Sequence, residues 1–187
     1  VPLIDGIPSV HYPVGFVDRA GTKLLVRSET QTTPSKKRYG IVDVQSGQTT
    51  ATADCNCGLF VTPDKRIIGR EYPPVDMTST SAPKFGNFVA YDQSLKRESE
   101  KNVALPSPYG DNQLFETGAI SDGLLVLAAD MAASAYGQNV LLLVRPDGSY
   151  KALVNPTDVG SLGIHGLTVS GDGSKIGFTT GMRGGMC

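Results

Sequence analysis

The chain has 187 residues, a net charge of −1 and a hydrophobic share of 40%, enough for one domain with a sizeable core. The balanced charge gives no basic footprint for nucleic acid and no charged block for a solvated tail. The longest apolar run, residues 123–129, is far too short to cross a bilayer, so no membrane span is expected.

No leader is visible at the start, which a mature secreted chain would also lack. The 22 glycines and 12 prolines, with no tryptophan, suit many short strands joined by turns. No stretch sustains a helical period over 10 residues without Gly or Pro.

In chain order, residues 1–13 read as irregular, with Pro2, Pro8, Pro13 and His11. The first unit, 14–53, opens with a short strand at 15–17, a turn from Asp18, and a second strand at 23–27. A polar loop spans 29–37, a third strand 39–44, and a Thr-rich fourth 48–53. The second unit, 58–105, repeats that order. It has strands at 59–61, 66–70 and 87–91, a long loop at 72–86, and a fourth strand near 102–105. Residues 106–116 read as a loop. The third unit, 118–154, has strands at 118–120, 124–129, 139–144 and 150–154, and the loop 155–166 carries His165. The last unit, 166–187, begins with a hairpin turning at Asp172-Gly173 and stops before a clear third strand.

The turn aspartates Asp18, Asp64, Asp122 and Asp172 are 46, 58 and 50 residues apart. Each sits between a short strand and a more apolar one. Four strands per period at this spacing mark an all-β, β-propeller-type array of four-stranded antiparallel blades, about three complete and others partial at the ends. A β-sandwich with accidental similarity between hairpins is the competing architecture.

Ser170-Gly171-Asp172-Gly173-Ser174-Lys175-Ile176-Gly177-Phe178 resembles the Ser-Pro-Asp-Gly-Lys-Lys-Ile-Ala-Phe hairpin of WD40-like, TolB-type propeller repeats. Thr62-Pro63-Asp64-Lys65-Arg66-Ile67-Ile68 and Ser121-Asp122-Gly123-Leu124-Leu125 are looser matches. The resemblance implies a propeller and is nearly silent on function, since such repeats occur in periplasmic scaffolds, peptidase lids, lactonases and lyases. It also implies an extracytoplasmic setting, periplasmic or secreted. The loop at 72–86 is long for a connection within a blade. The first 13 residues align with a blade-to-blade link, so the ends suggest a ring completed by another chain or by more of a longer protein. A compact four-bladed ring is the third option.

In a propeller, the inter-blade links and the second-to-third strand loops open on one face. That face would carry His11, Asp158 and His165, and a histidine pair with a carboxylate can hold a metal or move a proton. Scattered loop residues are the plainer reading, and no metal site or cofactor is assigned. Glu29, Glu71 and Asp130 each follow the second strand of their unit and would form an acidic rim, or simply be solvated strand ends. In the long loop, Tyr72, Met77 and Phe85, with Val75, offer apolar contacts to a partner, stiffened by prolines. The turn aspartates read as turn formers.

No Gly-x-Ser-x-Gly elbow occurs, 171–175 lacks the spacing of a phosphate loop, and Asn155-Pro156-Thr157 cannot be glycosylated. Of the three cysteines, Cys55 and Cys57 flank one residue, where a disulfide would be strained, so they read as unpaired or structural thiols, as does Cys187. Together these features suggest a non-catalytic protein- or ligand-binding scaffold, completed by a protein partner or second chain. The alternative is the propeller portion of an extracytoplasmic hydrolase or lyase, its site on the loop face.

Overall fold

A computed structural model describes residues 9–30, 37–73, 85–107, 109, 113–130, 138–155 and 164–180. They form antiparallel sheets in which each strand pairs with its neighbour in sequence. The first sheet contains β1 (Ser9–Phe16), β2 (Lys23–Thr30), β3 (Lys37–Asp43) and β4 (Thr49–Asp54). The second contains β5 (Cys57–Val61), β6 (Ile67–Glu71), β7 (Gly86–Tyr91) and β8 (Arg97–Val103). The third contains β9 (Gln113–Ile120), β10 (Gly123–Asp130), β11 (Gln138–Val144) and β12 (Tyr150–Val154). The fourth has two strands among the described residues, β13 (Ile164–Val169) and β14 (Ile176–Thr180).

Besides β2, which runs on to Thr30 inside the expected loop, the strand boundaries correct the sequence reading in four places. β1 starts at Ser9 rather than after Pro13: it is an edge strand, where a proline in register with Val26 is tolerated, and a register shift leaves Val14 unmatched before Gly15. β9 begins at Gln113, inside the expected loop. β13 begins at Ile164, with a register shift between His165 and Thr168. β8 runs from Arg97 rather than near Asn102. As an outer strand exposed along most of its length, it has no apolar alternation to betray it.

The first strands stand side by side in chain order: β1 touches β5, β5 touches β9, and β9 touches β13. Successive sheets therefore pack face to face, each pair around its own apolar cluster. Leu25, Tyr39 and Ile41 of the first sheet meet Leu59, Ile67 and Val89 of the second. Ile68 and Phe88 on the other face of the second meet Leu124, Val126 and Leu142. Leu125, Leu141 and Leu143 then meet Ile164, Leu167 and Ile176. Burying each such aliphatic side chain contributes about 1.5–3 kcal/mol, so strands of only five to eight residues can hold together.

Tight turns close one end of every sheet. In five of them an aspartate accepts from backbone N–H groups just ahead: Asp18 from Thr22, Asp43 from Ser46, Asp92 from Ser94, Asp147 from Ser149 and Asp172 from Ser174. This is the turn-forming role the sequence suggested for Asp18 and Asp172. Lys65 takes a left-handed φ of 72°, the place that Gly173 fills at 73° in the related turn. At this end Gln93 donates to the Val17 carbonyl at 2.8 Å, and Arg66 donates to that of Ser121, tying neighbouring sheets together. The opposite end holds the polar residues described next.

Candidate functional site

At the end away from the tight turns, the three four-stranded sheets contribute polar side chains to one neighbourhood. Alternation along β6 sends Ile68 and Arg70 toward the third sheet, and Ile67, Gly69 and Glu71 toward the first. Arg70 is almost wholly buried. Its Nη1 donates to Glu116 Oε1 at 2.7 Å and to the Leu114 carbonyl at 3.0 Å, and its Nε donates to the Phe85 carbonyl. The phenol of Tyr72 donates to the other oxygen of Glu116 at 2.9 Å. Burial first, and the Glu116 carboxylate second, push the Tyr72 hydroxyl well above its ordinary value, so it stays protonated. Arg70, Tyr72 and Glu116 thus use one another's polar atoms.

On the first sheet, Tyr39 is buried in the apolar cluster, yet its hydroxyl is fully used. It donates to the Cys57 carbonyl at 2.9 Å and accepts from the Leu59 N–H at 3.1 Å. Two residues along the same face lies Lys37, whose ammonium sits 4.6 Å from the Tyr72 ring centroid. Desolvation lowers the Lys37 pKa, helped by the Arg27 and Arg70 charges and opposed by Glu29 and Glu116.

Cys55 and Cys57 are joined by a disulfide, which overturns the reading of unpaired thiols. Here both cysteines lie in the apolar cluster between the first two sheets, which holds their backbones together. Asn56, between them, accepts the Tyr72 N–H at 2.9 Å. It also lines a cleft of about 540 Å³ with Glu71, Tyr72, Pro73, Gly86 and Asn87.

Of the residues singled out from the sequence, Tyr72 and Glu71 line this cleft. Phe85 is not a docking side chain: it is buried, with its ring 5.2 Å from the Arg70 guanidinium carbon. Glu29, Glu71 and Asp130 pair with Lys37, Asn87 and Gln138 on their third strands, but not at matching places: Glu29 lies on the face turned to the following sheet, Glu71 and Asp130 on faces turned to the preceding one. Glu29 lies 3.2 Å from Arg27 and Glu71 lies 2.6 Å from Arg97, so arginines neutralise both in place. His11 and His165 fall in strands rather than loops, opposite Ser28 on β2 and Thr179 on β14. β1 neighbours β5, whereas β13 neighbours β9. Met77, Val75 and Asp158 lie outside the described residues.

No protein-family model matches the chain, and no curated protein is similar to it. Among solved structures it is similar to Morganella morganii TcdA4, determined by cryo-EM, with a TM-score of 0.39 and 14% identity. The similarity covers 81% of this chain and spans 8% of that one.

Arg70 and Lys37 are the residues that sequence reasoning passed over. Arg70 has a counterpart in Arg27: each lies two residues beyond the apolar residue, Ile68 or Leu25, that its second strand turns toward the following sheet. Two arginines at equivalent places in their second strands, where the third unit carries Leu127, were the available signal.

Proposed function

We propose that this chain is a non-catalytic binding scaffold built as a β-propeller-type array, whose fourth sheet is completed by strands from a partner polypeptide. The observation that carries this reading is the state of β14. Second strands elsewhere are buried under a third strand, as at Ile67–Glu71, where the first four residues are buried. In β14, by contrast, Ile176 is half-buried and Phe178 is 36% exposed. Among the described residues no strand pairs with its outer edge. Such an edge presents a row of backbone donors and acceptors and recruits an extended segment. The pattern of β7 and β11 gives the chemistry of the occupant: an apolar antiparallel strand, followed by a polar outer one. The face-to-face packing of successive sheets, with first strands adjacent, favours propeller geometry. The Cys55–Cys57 disulfide favours an oxidising, extracytoplasmic compartment.

Native mass spectrometry combined with amide hydrogen exchange tests this. In the isolated monomer, residues 176–180 should exchange much faster than residues 67–71 and become protected in any assembly. A proven monomer in which both strands are equally protected would mean that the chain covers its own edge, and the reading would fail.

A further inference from the structure

At the loop end of the first sheet two half-buried cations, Arg27 and Lys37, share one carboxylate, that of Glu29. Arg27 lies opposite Tyr39, and Lys37 opposite Glu29, so the three charged side chains share the face turned toward the second sheet. The Arg27 guanidinium stacks 4.9 Å from the Tyr12 ring centroid. Its Nε is 3.2 Å from Glu29 Oε1, but the N–H does not point at that oxygen and has no hydrogen-bond acceptor. The Lys37 ammonium rests against the Tyr72 ring and joins no ion pair among the described residues. The groups facing it are Arg27, Glu29 and Tyr39 on its own sheet, and Arg70, Tyr72 and Glu116 across the interface. Arg70 and Glu116 neutralise each other at 2.7 Å. Glu71, which also turns toward the first sheet, is paired with Arg97, so among the described residues Arg27 and Lys37 share Glu29, which leaves one positive charge in excess.

We propose that Arg27 and Lys37, flanked by the rings of Tyr12 and Tyr72, form a subsite for an oxyanion, the carboxylate or phosphate group of a bound ligand. An oxyanion here would accept from the ammonium and the guanidinium at once, offsetting the desolvation that Lys37 now bears without an acceptor. Glu29 competes for the same guanidinium. Its removal should therefore help the ligand, whereas a purely structural ion pair would predict no such gain.

The test uses the full chain with its lysines reductively methylated with 13C, titrated with inorganic phosphate and, separately, with succinate at constant ionic strength. A saturable shift of the Lys37 resonance is expected, with its pKa rising toward the ordinary lysine value, because a bound anion favours the charged form. Lys37→Gln and Arg27→Gln should each weaken binding by about tenfold or more. Glu29→Gln should tighten it, and Lys101→Gln, on the exposed β8, should leave it unchanged. Saturation by phosphate alone assigns a phosphorylated ligand, by succinate alone a carboxylate, and by both the shared chemistry. No saturable shift with either anion would overturn the proposal, as would equal affinity in the Arg27 and Glu29 variants. The wild-type titration and the gain in Glu29→Gln do not depend on how well the cation variants fold.

Discussion

The two faces of the second sheet pack against neighbours by similar apolar clusters, yet their loop ends are secured differently. Toward the first sheet, the polar tie is the Tyr39 hydroxyl, which bonds only to backbone groups of β5. Toward the third, it is the Arg70 guanidinium, which needs a carboxylate on β9. The first arrangement asks nothing of the partner sheet's side chains at that point. The second makes the identity of one residue, Glu116, a condition for burying another. Losing a neutral buried hydroxyl costs less than stripping a buried charge of its counter-charge.

That contrast is broken most sharply by Glu116→Ala, which leaves Arg70 buried without its partner. It should cost about 3–5 kcal/mol in urea unfolding. The double variant Arg70→Met with Glu116→Leu should recover most of the loss, and a double variant as unstable as the single would refute the explanation. Next in size, Tyr39→Phe leaves the Leu59 N–H without its acceptor, and about 1–3 kcal/mol should be lost. Amide exchange should rise at residues 57–59 and stay unchanged at residues 113–120. Reducing the Cys55–Cys57 bond opens a very short loop, so the chain-entropy relation gives roughly 1–2 kcal/mol. Paired urea melts with and without a phosphine reductant measure it, and the loss should spare the second-to-third sheet interface.

The smallest effect separates the loop ends from the turn ends, which both interfaces share. The hydrogen bonds from Ser170 and Ser174 hold the Asp172 carboxyl down at about 2, and Asp18, Asp43, Asp92 and Asp147 are lowered by their own turn hydrogen bonds. An unfolded aspartate titrates near about 4. These groups therefore contribute stability that is complete above that value and is lost as pH falls through their folded values. Thermal melts from pH 5 to pH 2 should show a gradual decline, shallower in Asp172→Asn.

Turns and apolar strands were legible in the sequence because their signals are local. Asp172-Gly173 and the alternation at Ile176 and Phe178 need no knowledge of a partner. The extent of β1 was hidden by Pro13, which an edge strand tolerates where a rule based on one residue stops the strand. β8 was half hidden because an edge strand carries charges on both faces. The acids Glu29 and Glu71 look alike in the sequence, but the opposite faces they occupy were hidden, as was Arg97, which reaches Glu71 across 26 positions. Arg70 was invisible for the same reason: its carboxylate lies 46 residues further on. The disulfide was misread because the strain of a short ring was considered without the packing that sets the two backbones.

The pairing of Arg70 with Glu116 also bears on how such a chain can be rearranged. Units with the same strand order look interchangeable, as beads on a string would be. These are not: the second sheet has to be followed by one bearing a carboxylate at the place of Glu116, whereas the third, with the apolar Leu127 at the matching place on the face turned to the fourth, makes no such demand. Duplicating, deleting or shuffling whole units would preserve every turn and strand, yet fail at one junction. A single buried charge thus gives the array a fixed reading order, an address that the repeated hairpins alone do not carry.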